Sequence, residues 1–206
     1  KNDPNDAYSI SDDCIISIGD DKTGGIWVGT NSGGLNYFDP ASNKFYKYMH
    51  NTKNPESIGD YTIYAVYEDS NGLIWLGTWS DGLNKLNPAQ TKFAHYKNDP
   101  DNLNSLNGNS ISAILEDKES CIWVSTDEGG LNKFNPATKI FTRYKHYPND
   151  VNSISSDVIS SLLEDKNGNI WVGTDGDGIC KYDKKSDRFI RYQVNTNDTN
   201  NLIVNQ

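Results

Sequence analysis

An all-β fold of four repeated, four-stranded antiparallel sheets is what this 206-residue sequence predicts. Three observations carry that prediction. Trp27, Trp75, Trp123 and Trp171 recur at intervals of 48 residues. The same register aligns Ile15, Ile63, Ile111 and Ile159, the threonines at 30, 78, 126 and 174, the phenylalanines at 45, 93, 141 and 189, and the tyrosines at 48, 96, 144 and 192, without an insertion. No segment shows the 3.6-residue apolar period of a helix, whereas short β-branched and aromatic runs alternate with clusters of Gly, Asn, Asp and Pro.

The second unit shows the elements in order. Strand A is Ile63–Tyr67, followed by a tight turn over Glu68-Asp69-Ser70-Asn71-Gly72. Strand B is Leu73–Thr78, and Trp79-Ser80-Asp81-Gly82 turns back into strand C, Leu83–Leu86. Asn87-Pro88-Ala89-Gln90 turns again, with the fixed φ of proline suited to a type I turn, and strand D is Lys92–Tyr96. A linker rich in Asn, Asp, Pro and Ser then leads to the next unit. Four antiparallel strands in about 40–50 residues match the blade of a β-propeller. Helical solenoids would need a helical period, and a parallel β-helix would need shorter rungs. The third position of strand A is always small (Ser17, Ala65, Ala113, Ser161), as the crowded inner strands of a propeller require, while Trp, Phe and Tyr fill the widening wedge outside. The chain is thus expected to be four consecutive blades, at about 9–56, 57–104, 105–152 and 153–200, with flanking linkers across 1–206. Lys1-Asn2-Asp3-Pro4 repeats Lys97-Asn98-Asp99-Pro100 in register, and Gln206 falls where a fifth strand A would begin. Four blades closed on themselves, half of an eight-bladed ring and a stretch of a longer ring all fit that pattern.

Composition excludes several classes. A net charge of −9 and a pI near 4.7 do not suit a polyanion partner, so no nucleic acid is expected. No run of 18 apolar residues is present. The N-terminus has neither an initiator Met nor a basic-then-apolar leader, which points to a processed or excised segment. Cys14, Cys121 and Cys180 have no CxxC or Cys/His spacing and an odd count, so structural or incidental roles are expected.

Asn71-Gly72-Leu73-Ile74-Trp75-Leu76-Gly77-Thr78 and Asn167-Gly168-Asn169-Ile170-Trp171-Val172-Gly173-Thr174, followed by the Gly-Leu-Asn of 34–36, 82–84 and 130–132, resemble the two-component regulator propeller repeat. Its pattern is a D-x-x-G turn, W-[IVL]-G-T, G-G-L-x and an Asp/Asn-Pro turn. Ser120 and Ser125 replace two glycines in unit three, and Ile179-Cys180 and Lys184 replace Leu-Asn and Pro in unit four; these read as drift at structural positions. The resemblance implies the extracytoplasmic, periplasmic or cell-surface sensor portion of a membrane-anchored bacterial receptor, often a hybrid histidine kinase. It implies a small polar ligand, often an oligosaccharide, with the remainder of the receptor as partner. Ring completion adds a homodimer to the expected partners.

In an A-B-C-D meander the B–C loops and D–A linkers emerge on one face, and the short A–B and C–D turns on the other, which reads as scaffold. The B–C loops differ between units, so the fold does not dictate their residues, and loops on a rigid scaffold carry binding groups. Trp79 stands where other units have Asn31, Asp127 or Asp175, and offers a stacking plane for a sugar ring. Asp81, Asn31, Asp127, Asp175 and Asp177 are the candidate hydrogen-bonding partners for its hydroxyls. The recurrent Glu-Asp pairs at 68–69, 116–117 and 164–165 lack the calcium-loop pattern and read as turn initiators. No metal, cofactor or catalytic residue is assigned, because no nucleophile elbow, HExxH or Cys/His pair is present. His95, on the outermost strand, is expected to face water, and His50 and His146 to share a structural slot. An enzyme resembling the streptogramin lyases and a protein-interaction scaffold are the alternatives to the sensor.

Overall fold

The computed structural model describes residues 1–127 and 129–192; Glu128 and the expected end of the fourth unit, 193–200, lie outside them. Sixteen strands form four antiparallel meanders. The first sheet is β1 (Ile15–Asp20), β2 (Ile26–Thr30), β3 (Leu35–Asp39) and β4 (Lys44–Tyr48). The second is β5 (Ile63–Glu68), β6 (Ile74–Thr78), β7 (Leu83–Asn87) and β8 (Lys92–Tyr96). The third is β9 (Ile111–Glu116), β10 (Ile122–Thr126), β11 (Gly130–Asn135) and β12 (Ile140–Tyr144). The fourth is β13 (Ile159–Glu164), β14 (Ile170–Thr174), β15 (Ile179–Asp183) and β16 (Arg188–Tyr192). Each sheet is a propeller blade in strand order, and the described residues contain no helix. Among the described residues, 1–98 with 109–114 form one compact unit, and 99–108 with those from 115 to 192 form another.

In the first unit Trp27, Leu35, Ile58, Ile63, Ile74, Leu76, Leu86 and Phe93 make one apolar cluster. In the second, Trp123, Leu131, Ile154, Ile159, Ile170, Val172, Cys180, Tyr182 and Phe189 make another. The turn aspartates do more than start turns. Asp69 Oδ1 accepts the N–H of Asn71 and of Leu73, both at 2.9 Å, while Oδ2 accepts the Trp75 indole N–H at 2.8 Å. Asp117 and Asp165 hold Trp123 and Trp171 in the same way, at 2.8 and 3.0 Å. One carboxylate thereby satisfies a turn and fixes the largest side chain of its blade.

Tight inter-blade approach falls on the glycine of W-x-G-T as well as on the small residues of strand A. A Cβ on Gly29 would lie 2.6 Å from the Ile63 carbonyl oxygen, and one on Gly77 would lie 2.6 Å from Ile111 Cγ2. Ser17, one of the small positions, also donates its hydroxyl to the Ile63 carbonyl at 2.9 Å. The pairing of β5 with β6 slips between Ile63 and Ala65, a bulge that sets Tyr64 off the ladder.

The D–A linkers are bound rather than loose. Each covers the edge of the outermost strand of the sheet it enters: the N–H groups of Phe45, Phe93, Phe141 and Phe189 donate to the carbonyls of Tyr8, Glu56, Asn104 and Asn152. Capping an edge this way removes a template for non-native pairing. Arg143 donates to the linker carbonyls of Asn102, Ser105 and Leu106, and Arg191 to those of Asp150, Ser153 and Ile154. His95 occupies this clamping position in the second sheet. The expectation that it faces water is therefore corrected: its Nε2 lies 3.1 Å from the Pro55 carbonyl oxygen and its Nδ1 lies 3.2 Å from Asp81 Oδ2. His50 and His146 do share a structural slot, with Nδ1 at 2.7 and 2.8 Å from the Ile58 and Ile154 carbonyl oxygens.

Candidate functional site

The B–C loops are closed from beneath by the threonine of W-x-G-T. Thr78 donates its backbone N–H (3.2 Å) and its hydroxyl (2.8 Å) to the Gly82 carbonyl, and its hydroxyl oxygen accepts the Asp81 N–H at 2.9 Å. Gly82 has φ +75°, and a Cβ there would meet the Tyr96 carbonyl oxygen at 2.4 Å, so both conformation and space demand glycine. From the linker side, Asp60 Oδ2 accepts the N–H and the hydroxyl of Ser80, both at 2.8 Å. Asp12 does the same for Ser32, at 2.9 and 2.8 Å. The N–H of Cys14, then the Ser32 hydroxyl, hold the Asp12 carboxyl below the usual carboxylate range. Asp12 and Asp60 were not among the sequence candidates. Their signal was available: an Asp recurs in register with a loop Ser 20 residues later, and only in the first two units.

On this frame Trp79 is 52 % exposed and rests edge-on against Tyr64, with ring centroids 5.3 Å apart and planes at 74°. Tyr64 is the bulged residue of β5, at a position occupied by Ile16, Ser112 and Ser160 elsewhere. The two aromatics therefore depart from the repeat in the same blade and meet. Asn31 is brought to the same loops through Thr62, which donates its hydroxyl to the Asn31 carbonyl while its own carbonyl accepts the Trp79 N–H at 3.2 Å. Tyr61, one residue earlier, is also exposed and packs edge-on against His50 at 5.0 Å. A fixed aromatic plane beside carbonyl and hydroxyl groups is the furniture of a site for a ligand with one apolar face and a polar rim.

The other candidates fall elsewhere. Asp81 turns back along β8, where it pairs with Lys97 and His95 and is 19 % exposed at its side chain. It borders a separate cleft of about 310 Å³ with His50, Pro55, Gly59, His95 and Lys97. Asp127, Asp175 and Asp177 are exposed on the second compact unit. The backbone N–H of Asp175 donates to the Val158 carbonyl at 3.0 Å, as that of Trp79 donates to Thr62. Among the described residues no three His, Cys, Asp or Glu side chains converge as a metal-ligand group. Cys14, Cys121 and Cys180 are free thiols, the last two buried, and burial pushes the Cys121 thiol up.

Comparison with known proteins bears on the repeat and the fold. Residues 57–80, 105–128 and 153–176 match the family model of the two component regulator propeller. No curated protein matches the chain. Among solved structures, the chain is similar to the extracellular domain of a protein assigned as the hybrid two component system BT3049 of Bacteroides thetaiotaomicron, with 23 % identity and a TM-score of 0.77 over 92 % of this chain and 25 % of that one. It is similar also to the extracellular domain of BT4673 of the same organism, assigned as a one component system, with 23 % identity and a TM-score of 0.71 over 98 % of this chain and 26 % of that one. Virginiamycin B lyase from Staphylococcus aureus shares the fold at 14 % identity, with a TM-score of 0.65 over 87 % of this chain and 55 % of the lyase. The chain spans about a quarter of the length of the first two. Its second, third and fourth blades each match the two component regulator propeller repeat.

Proposed function

We propose that this chain is part of the ligand-sensing propeller of a bacterial signalling receptor, on the extracytoplasmic side of the membrane, and that it binds an oligosaccharide or other small polar ligand on the B–C loop face. The observation that carries this reading is the Trp79–Tyr64 pair on the loop that Asp60 holds to the linker. Nothing in the blade requires an aromatic at either position, since the other units fold with Asn, Asp, Ser or Ile there. An exposed indole held by a rigid neighbour loses little entropy when a sugar ring stacks on it. The role is recognition, and the remainder of the receptor, a histidine kinase or another output, carries the signal onward. Two chains completing one ring is the assembly this reading favours, and light scattering on the purified chain distinguishes a dimer from a monomer.

The test is isothermal titration calorimetry against a panel of oligosaccharides, run on the wild type and on Trp79→Ala. A glycan that binds the wild type and loses about ten-fold or more in affinity with the variant supports the reading. Unchanged binding by Trp79→Ala overturns it.

A further inference from the structure

The first blade departs from the other three at neighbouring positions. Across the strand pair from Trp75, Trp123 and Trp171 stand Lys85, Lys133 and Lys181. Each ammonium lies over its indole, at 5.5, 5.2 and 5.9 Å from the ring centroid. In the first blade Tyr37 takes the lysine's place opposite Trp27, with ring centroids 4.7 Å apart. The Tyr37 hydroxyl donates to Asp21 Oδ2 at 2.7 Å, the turn carboxylate that holds the indole in the other blades. The indole nitrogen of Trp27, a residue only 3 % exposed, is left buried without a hydrogen-bond partner. An unmet buried donor is destabilising. Gly25 makes the rearrangement possible: a Cβ there would lie 2.2 Å from the Tyr37 hydroxyl, and the other units carry Leu73, Cys121 and Asn169 at this position.

Beside these residues lies a cleft of about 510 Å³ within the first compact unit, lined by Trp27, Tyr37, Tyr48, Ile74, Asp21 and Glu68 among others. The lining contains two carboxylates and no Lys or Arg. Lys22, beside it in sequence, commits its ammonium to the Asp69 carbonyl. Burial raises the Asp21 carboxyl, but hydrogen bonds from Thr23 and Tyr37 outweigh that and hold it below the usual range, so the carboxylate is charged at neutral pH. Three blades fill this environment with a cation of their own, and the first keeps the aromatic and acidic walls without one.

We propose that this cleft binds a small organic cation, an amine or quaternary ammonium with an apolar body, whose charged head takes the place that a lysine ammonium holds in the other blades. The aromatic walls attract the head through their π faces, and Asp21 and Glu68 balance its charge. The volume suits a small ligand, and apolar walls with a few convergent polar groups are what such sites need. The cleft lies among the short A–B and C–D turns, away from Trp79, so the assignment stands independently of the loop-face reading.

The probe is benzyltrimethylammonium, with benzyl alcohol and maltose as uncharged controls. Binding is read by calorimetry and by the Trp27 indole N–H resonance, assigned from Trp27→Phe. The cation is expected to bind and shift that resonance, and Tyr37→Lys is expected to weaken it about ten-fold or more. Three of the four blades fold with lysine at this position, and a thermal melt verifies that the variant does too. Glu68→Gln, a second variant outside the core, is expected to weaken the cation several-fold. Trp79→Ala is expected to leave it unchanged. Absence of cation binding, equal binding of benzyl alcohol, an equal shift of the Trp27 resonance by maltose, or full affinity in Tyr37→Lys each overturns the proposal. Loss in Trp79→Ala alone would move the cation to the loop face, overturning this site while leaving the other reading intact.

Discussion

The backbone N–H of Ser155 donates to the Cys180 sulfur at 3.3 Å, and that thiol lies 3.2 Å from the Ser155 hydroxyl. In the other three blades the same linker N–H, from Ser11, Gly59 and Asn107, is taken by the side-chain oxygen of a fully buried asparagine: Asn36, Asn84 and Asn132, at 3.0, 2.8 and 3.1 Å. The Asn of G-L-N is thus the bolt between strand C and the linker, and Cys180 is a weaker version of it. Cys180→Asn should stabilise the chain by about 0.5–1 kcal/mol, because a better acceptor is supplied and Ser155 can take the new amide as Ser11 takes that of Asn36. Asn84→Leu should cost about 1–3 kcal/mol, since the Gly59 N–H loses its acceptor. Urea unfolding of both variants checks this. A Cys180→Asn protein less stable than the wild type would remove the equivalence.

Ser120 has φ +60°, where Gly24, Gly72 and Gly168 stand in the other turns with φ of +100°, +76° and +80°. The serine was read from sequence as drift at a structural position, and the backbone shows that the turn keeps its left-handed residue without glycine. An L-residue pays about 1–2 kcal/mol for this conformation, and glycine returns part of that in chain entropy. Ser120→Gly is expected to raise stability by roughly 0.5–1 kcal/mol, measured as the shift in urea midpoint at constant slope. A decrease would mean that the Ser120 side chain supplies more than the strain removes.

Residues common to every blade were legible, because repetition exposes them: the Trp and Thr of the motif and the Phe and Tyr of the outermost strand recur at one spacing, and the strands fall within a residue or so of the expected limits. What escaped depends on pairs of residues from different elements. His95 looked like a solvent position because its alignment with Lys47, Arg143 and Arg191 reveals polarity but not the linker carbonyls that His95, Arg143 and Arg191 reach. Tyr64 was passed over because a bulge, invisible in a strand pattern, sets it beside Trp79. Asp81 was grouped with Trp79 by adjacency, yet Gly59 leaves room for it to turn to Lys97 and His95 instead. The cleft beside Trp27 lay on a face read as scaffold, since its turns look uniform and the departure sits on strands at Gly25 and Tyr37.

Acid should weaken this chain in a defined window. Asp165 is held well below the usual carboxylate range, first by the Trp171 indole N–H and then by the side chain and backbone of Asn169. Asp39 and Asp183 are lowered chiefly by the hydroxyls of Ser42 and Ser186. A depressed folded pKa contributes stability that is present above the unfolded value, near 4, and is lost as pH falls through the folded one. The melting temperature is therefore expected to be level above about pH 5 and to fall steadily below about pH 4. Relief of the −9 net charge acts in the opposite sense, so the series belongs at about 0.15 M salt, where long-range repulsion is screened. Asp165→Asn should start lower at neutral pH and lose less on acidification. A melting temperature that rises from pH 5 to pH 3 would contradict the assignment of these carboxylates.

Trp79→Ala separates recognition from folding more cleanly than any other change in the chain. The indole is half exposed, and its visible side-chain packing is the edge contact with Tyr64. The loop itself is held by groups that survive the substitution: the Asp60–Ser80 bonds, the Thr78–Gly82 closure and the backbone bond from residue 79 to Thr62. The expected stability change is therefore small, about 1 kcal/mol or less, against about 3–5 kcal/mol for a buried blade tryptophan such as Trp123→Ala. The loss in glycan affinity should be about ten-fold or more, because a stacked ring has no substitute on an alanine. Melting and calorimetry on the same preparation decide the matter. A large fall in stability would show that Trp79 belongs to the blade's packing, and the variant's weakened binding would then say nothing about stacking; a small fall with lost binding places the ligand on its indole.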